Sequence, residues 1–113
     1  MSRLAGLLDE QAMKGQTLTY LEVADHLAIA APKRIHRTAR LVEKLMRRDF
    51  DAGRPIRSAL VISRVRNGLP APGFFDRARR LGLLDHDDEW VFHQQLLSQL
   101  GQNLVSSCKD RSP

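Results

Sequence analysis

The sequence predicts a mainly α-helical fold with a small β element, in a helix-turn-helix or winged-helix-like arrangement. Three observations predict this fold class. Apolar residues recur at helical spacing in several segments, and one of these segments, residues 33–49, carries cations opposite its apolar stripe. A β-branched run over residues 56–65 follows it, and this run ends at Asn67-Gly68, which is typical of a turn.

The length and the cysteine content indicate the domain organisation. A chain of 113 residues can bury a core of its own without disulfides or a metal. We expect one winged-helix-like domain over residues 1–104 and a flexible polar tail over residues 105–113. The single cysteine, Cys108, lies in that tail and favours a cytoplasmic protein. Because no apolar run approaches the ~20 residues of a membrane-spanning helix, we expect no membrane partner.

Two helices are predicted before the basic segment. The first ends at Gly15, and its apolar residues share one side: Leu4, Leu7, Leu8 and Ala12. The second runs from Tyr20 to about Ala28, after a capping box that Thr19 and Glu22 form. Its buried side is predicted to consist of Val23, Ala24 and Leu27. This assignment leaves Tyr20 free for another role.

Residues 33–49 form the helix around which the rest of the chain is organised. Pro32, in the connector 28–35, separates this helix from the preceding one. The stripe predicted to face the core consists of Thr38, Leu41, Val42, Leu45 and Met46. The opposite side carries Arg37, Arg40, Lys44 and Arg47, with Arg48 beside them. A helix with one buried face and one cationic face has the form of a DNA recognition helix.

Positive charge is concentrated in this part of the chain. Residues 33–66 contain eleven Lys and Arg residues against three Asp and Glu residues, whereas the whole chain has a net charge of only +5. A sequence pI near 10.1 indicates an anionic partner, with nucleic acid as the first candidate. The competing interpretation is a solvated exterior, but such surfaces usually mix the two signs of charge.

Two further helices are predicted after the β-branched run. The first covers residues 74–81 and is closed by Gly82, and the last runs from about Asp87 to Leu100. Along one side of the last helix lie Trp90, His93, Leu97 and Leu100, and further apolar residues are Phe92, Leu96 and Leu104. Two interpretations stay open: a homodimer seam through the C-terminal helix, or packing of Phe92 and Leu96 on the core and the first helix.

No constellation of residues indicates catalysis. The acidic cluster 85–89 is explained by capping and by the dipole at a helix start, and the four histidines lack the spacing of a zinc site. Neither a glycine-rich phosphate loop nor a nucleophile elbow is present. We therefore expect no catalytic residue, no metal and no cofactor, and the protein is predicted not to be an enzyme.

The order of the motifs resembles the DNA-binding domain of the O6-alkylguanine-DNA alkyltransferases and their non-catalytic alkyltransferase-like relatives. The matching residues lie within about residues 15–82: Thr19-Tyr20, Glu22-Val23-Ala24, Arg40, Val42, Arg47-Arg48, Asn67-Gly68 and Gly73-Phe74. The resemblance implies that Tyr20 lies near a base-flipping site and that Arg40 enters the duplex to replace the flipped nucleotide. The Pro-Cys-His-Arg motif is absent from residues 56–63, which excludes alkyl transfer, and Glu43 stands where the family has a small glycine. Residues 58–75 also resemble a stretch of bacterial and phage proteins, which implies a bacterial origin.

The sequence therefore predicts a non-catalytic protein that binds double-stranded DNA through the basic helix and the basic strand and turn that follow it. The residues expected to contact DNA are Tyr20, Lys33, Arg34, Arg37, Arg40, Lys44, Arg47, Arg48, Arg64, Arg66 and Asn67. The alternative is a protein-interaction module, such as a phage- or island-encoded regulator, that docks its basic face on an acidic partner protein.

Overall fold

Five α-helices and a two-stranded parallel sheet form the regular structure of residues 2–101, which are the residues that the computed structural model describes. The helices are α1 (Ser2–Lys14), α2 (Tyr20–His26), α3 (Arg34–Ala52), α4 (Pro72–Arg80) and α5 (Glu89–Gln99). The strands are β1 (Leu18–Thr19) and β2 (Val61–Ile62), and the 3₁₀ helices Arg57–Leu60 and Arg64–Arg66 flank β2. The predicted mainly helical fold with a small β element is confirmed. The tail predicted over residues 105–113, with Cys108, lies outside the described residues.

Helix α3 lies at the centre of the fold. It contacts α1, α2, α4 and the 3₁₀ helix Arg57–Leu60. The predicted inward stripe is confirmed for Thr38, Val42, Leu45 and Met46, which are buried, while Leu41 is half-buried. Because α3 buries one side along most of its length, its opposite side is held toward solvent.

The start of α2 follows the predicted capping box. The Thr19 hydroxyl accepts a hydrogen bond from the Glu22 backbone N–H at 3.1 Å, and the Glu22 carboxylate accepts one from the Thr19 N–H at 2.8 Å. Two backbone donors that the helix itself leaves unpaired are thereby satisfied. The prediction that Tyr20 stays free is wrong, since only 4% of this residue is exposed.

The strand predicted over residues 56–65 is wrong over most of its length. Only Val61 and Ile62 are extended, and they pair in parallel with Leu18 and Thr19 of β1. The preceding residues turn into a 3₁₀ helix because the Ser58 hydroxyl donates a buried hydrogen bond to the Val42 carbonyl at 2.7 Å, which ties this segment to α3. The predicted turn at Asn67-Gly68 is present, and both residues have positive φ angles.

The side of α5 that the sequence singles out is buried in part, at His93 and Leu97. Phe92 and Leu96 beside it are buried as well, whereas Leu100 is half-buried and Trp90 is 60% exposed. The rings of Phe74, Phe75 and Phe92 pack with centroid separations of 5.2–6.4 Å, and this aromatic cluster fixes the rotation of α5. Phe92 and Leu96 therefore pack in the core. Leu104 lies outside the described residues.

Replacing Thr38 by valine is expected to raise the free energy of unfolding by about 1 kcal/mol. Thr38 is completely buried, and its hydroxyl has no hydrogen-bond partner within residues 2–101. Valine keeps the shape and removes the desolvated hydroxyl. Urea denaturation followed by circular dichroism measures the change. Thr19→Val is the matched control, and it should lower the free energy of unfolding by about 1 kcal/mol because it removes the α2 cap. Equal losses in both variants would contradict the prediction.

Stability is expected to fall as the pH is lowered, through His93. The His93 ring is 2% exposed, its Nε2 lies 2.8 Å from the Ala59 carbonyl oxygen, and its Nδ1 has no partner in the described part of the chain. Burial lowers the pKa of His93 below its ordinary value, and the bond to Ala59 only partly opposes this shift. Below about pH 6.5 the unfolded chain therefore binds more protons than the folded chain, so stability is complete above that pH and declines below it.

Urea denaturation of the wild type and of His93→Gln between about pH 8 and pH 5 measures this dependence. The variant should lose stability less steeply below about pH 6.5, because its side chain does not titrate. His36→Gln removes an exposed histidine and serves as the control. Equal pH dependence in the wild type and in His93→Gln would show that another group is responsible.

Candidate nucleic-acid interface

The outer face of α3 presents a row of exposed cations. Lys33 precedes the helix, and Arg40, Lys44 and Arg48 follow on the side away from the core. Within residues 2–101 none of these four exposed side chains forms a hydrogen bond or an ion pair. Each of them was predicted to contact DNA. Arg40, Lys44 and Arg48 follow one another at four-residue spacing along α3, and Lys33 lies just before its first turn.

Two further predicted cations on α3 are only loosely engaged. The Arg37 Nη1 donates to the Ala30 carbonyl at 3.0 Å, and the Arg47 Nε lies 3.0 Å from the Asp51 carboxylate. All of these side chains are exposed, and exposed ion pairs contribute little to stability. An anionic ligand can therefore displace these weak bonds and bind Arg37 and Arg47 at a small cost in free energy.

Arg34 has an internal role. Its Nε donates to the Ile29 carbonyl at 2.8 Å, and its Nη2 donates to the Asp25 carboxylate at 2.6 Å. These bonds tie the start of α3 to the end of α2 and to the connector between the two helices. Arg34 thus holds the two helices together, and its Nε and Nη2 are already engaged within the protein.

Around the turn after β2, two of the predicted contact residues are exposed and a third is bonded within the protein. Arg64 and Asn67 are exposed and have no side-chain partner among the described residues. Arg66 is half-buried: its guanidinium donates to the Pro70 carbonyl at 2.8 Å and to the Glu89 carboxylate at 3.2 Å, and it lies 5.7 Å from the centre of the Phe75 ring. Arg66 holds the turn against α5, while Arg64 and Asn67 remain accessible.

Tyr20 lies inside the protein and not on this surface. Its hydroxyl accepts a hydrogen bond from the Ala71 N–H at 3.0 Å, and burial raises the pKa of Tyr20 to about 12. The ring is therefore neutral and joins the start of α2 to the loop before α4. A direct contact between Tyr20 and a ligand would require this bond to open.

Arg77 is a cation of this region that the sequence interpretation missed. It projects from α4 toward α3, and its Nη2 lies 3.7 Å from the Glu43 carboxylate. It follows α3 by a long stretch of chain, so helical spacing could not place it beside Arg40 and Lys44. Only the packing of α4 on α3 does so.

The acidic cluster 85–89 acts as a helix start and as an ion-pair partner. The Asp88 carboxylate accepts a hydrogen bond from the Val91 N–H at 3.0 Å, and Glu89 pairs with Arg66 and Arg79. No three His, Cys, Asp or Glu side chains converge as a metal site would require in residues 2–101.

Over the same residues, no helix has both the length and the apolar composition needed to cross a bilayer. The surface formed by α3 and by the turn after β2 can bind a polyanion through charge and through arginine and lysine donors.

Comparison of the chain with protein-family models, with curated proteins and with solved structures finds no match.

Proposed function

We propose that this protein binds double-stranded DNA without catalysis, with the outer face of α3 against the duplex. The observation that carries the proposal is the row of exposed, unpartnered cations along α3 and at its start, namely Lys33, Arg40, Lys44 and Arg48 among the described residues. A polyanion with regularly spaced charges is the partner that best compensates such a row. Arg37 and Arg47 contribute two further charges if they exchange their weak bonds to Ala30 and Asp51 for contacts with the polyanion.

The geometry of α3 suits a groove of B-form DNA. Nineteen residues give a helix about 28 Å long, and the major groove, about 12 Å wide, admits an α-helix. Helix α2 packs against α3, as the first helix of a helix-turn-helix pair does. Arg64 and Asn67 would contact the flanking backbone, in the position of a wing. We therefore propose a helix-turn-helix, winged-helix-like mode of binding.

The resemblance to the alkyltransferase-like proteins supports the same mode. Arg40, which the resemblance places at the duplex, is exposed and has no partner within residues 2–101. Tyr20, which the resemblance places near a flipped base, is buried and bonded to Ala71, and this favours a positioning role. We propose that a protein of this kind works on bacterial DNA in the cytoplasm.

Binding of the wild type to a fluorescein-labelled duplex should weaken steeply as salt is added. If four to six phosphates are neutralised, the slope of log affinity against log salt is expected to be about −4 to −5. Fluorescence anisotropy at several salt concentrations measures this slope. No binding of the folded protein at low salt, or a slope near zero, would contradict the proposal.

A second candidate function is docking on an acidic partner protein, because apolar surface lies next to the cations. Leu21, Ile35 and Val65 are exposed, and they line one groove of about 220 Å³ together with Arg64. Protein partners use such apolar contacts, whereas phosphates do not. A pull-down with and without nuclease separates the two functions, since only a protein partner survives nuclease treatment.

The proposed homodimer would use the apolar residues that α5 leaves exposed. Trp90 and Val91 are the exposed large apolar residues of this helix. Sedimentation across a range of protein concentrations decides between monomer and dimer. A chain that stays monomeric at high concentration would overturn the dimer.

A further inference from the structure

A cationic groove lies between α3 and α4. Its volume is about 290 Å³, and its lining residues are His36, Ala39, Arg40, Glu43, Lys44 and Arg77. His36, Arg40 and Lys44 follow one another at four-residue spacing, which aligns them along the side of α3. Arg77 approaches from α4, so the groove is bordered by cations from two helices.

The Arg77 guanidinium has donors that the described protein does not use. Its Nη2 lies 3.7 Å from the Glu43 carboxylate, which is longer than the roughly 2.7–2.9 Å of a charge-assisted hydrogen bond. Its Nε is buried and has no hydrogen-bond partner within residues 2–101. Because the Nε is closed to solvent, a ligand can reach only the rest of the Arg77 side chain, which is 34% exposed.

The single acid in the groove is drawn toward α4. A Cβ atom at Gly73 would lie 2.6 Å from the Glu43 Oε2, so the carboxylate occupies space that only glycine leaves open in the first turn of α4. The positive end of the α4 dipole favours a carboxylate there. Part of the Glu43 charge is thus compensated by the helix start, and Arg40, Lys44 and Arg77 outnumber it.

We infer that this groove is a phosphate site in which Arg40, Lys44 and Arg77 bind one backbone phosphodiester of the duplex. The inference rests on the proposed function and deepens it, because it adds a contact from α4 to those from α3. Arginine offers a planar set of donors that matches a phosphate group, and the exposed part of the Arg77 side chain, with its Nη2 only 3.7 Å from Glu43, is available to one. Glu43 competes with the phosphate for Arg77 and so limits the affinity.

Two substitutions with opposite expected effects test the site. Arg77→Gln should weaken duplex binding about tenfold and make the salt slope shallower by about 1. Glu43→Gln should tighten binding severalfold, because it removes the competing carboxylate. Asp76→Asn is the control for Glu43→Gln, because it also removes one negative charge, at an exposed position on α4 next to Arg77. It should leave the affinity within about twofold of wild type. Circular dichroism melting checks that each variant is folded.

A spectroscopic measurement identifies the source of the phosphate. The NMR signal of the Arg77 Nε–H group is followed while wild-type protein is titrated with sodium phosphate and, separately, with unlabelled duplex DNA. We expect the duplex to move this signal at a much lower concentration than inorganic phosphate does. A signal that moves with inorganic phosphate and not with the duplex would overturn the assignment to a DNA phosphate.

The failure of the groove and the failure of DNA binding can be told apart. If folded Arg77→Gln and Glu43→Gln both keep wild-type affinity while neutralisation of the outer face of α3 abolishes binding, the groove inference is overturned and the proposed function stands. If the wild type binds no duplex at all, the groove inference and the proposed function are both overturned. If Arg77→Gln unfolds, Glu43→Gln still decides, since tighter binding cannot result from lost structure.

Discussion

Asp49→Ala is expected to lower the free energy of unfolding by about 3–5 kcal/mol, because it leaves a buried arginine without its main partner. Asp49 is 1% exposed, and its carboxylate accepts hydrogen bonds from the Arg57 Nη2 at 2.7 Å, the Arg57 Nε at 3.2 Å and the Arg57 backbone N–H at 3.0 Å. These bonds raise the pKa of Arg57, so its charge persists in the folded protein. After the substitution only Asp9, at 3.2 Å, would remain to compensate it.

The position of this ion pair explains the size of the expected loss. Asp49 lies in the last turns of α3, and Arg57 opens the 3₁₀ helix that leads into β2. The pair therefore fixes the path of the chain where it leaves the central helix. The Arg57 side chain is only 13% exposed, so water cannot replace the lost carboxylate fully.

Urea denaturation of Asp49→Ala and Asp51→Ala measures the effect against a control on the same helix. Asp51 forms an exposed pair with Arg47, and its removal should cost no more than about 1 kcal/mol. The double variant Asp49→Ala/Arg57→Ala should lose less than the sum of the two single variants, because no unpaired charge is left behind. Equal losses for Asp49→Ala and Asp51→Ala would show that the pair contributes little.

The helices could be predicted from the sequence because their signals are local. The Thr19/Glu22 capping box fixes the start of α2 within one turn, and the left-handed Gly15 and Gly82 follow the ends of α1 and α4. The apolar spacing of α3 identifies its buried face for the same reason. Each signal depends on residues at most a few positions apart.

The region after α3 could not be predicted because distant contacts decide it. The β-branched run favours a strand, but Ser58 bonds to Val42 and Arg57 bonds to Asp49, so most of the run does not extend. The burial of Tyr20 likewise depends on Ala71, far along the chain.

The candidate site was predictable as a face but not residue by residue. Helical spacing places Arg40 and Lys44 opposite the core, as the structure has them. It cannot show that Arg34 bonds to Asp25 or that Arg66 bonds to Glu89, because those acids belong to other elements. A prediction from helical spacing therefore counts Arg34 and Arg66 as available to a ligand, although both are bonded within the protein, and it omits Arg77.

Replacing Arg37, Arg40 and Lys44 together by alanine is expected to weaken duplex binding by on the order of a hundredfold at moderate salt. Each neutralised phosphate contributes about 0.9 to the slope of log affinity against log salt, so the slope should become shallower by about 2.7. All three side chains are exposed, and alanine favours a helix, so the fold should be retained. Fluorescence anisotropy across a salt series measures both quantities on the same samples.

The matched control removes three exposed cations that do not belong to the outer face of α3, as Lys14→Ala/Arg54→Ala/Arg80→Ala. Both triple variants have the same net charge, so a general attraction between a basic protein and DNA predicts the same loss in both. A contact surface on α3 predicts a large loss only in the first, since short-range phosphate contacts cannot be replaced by charge elsewhere on the molecule. Equal affinities in the two variants would mean that the row of cations on α3 is a solvated exterior.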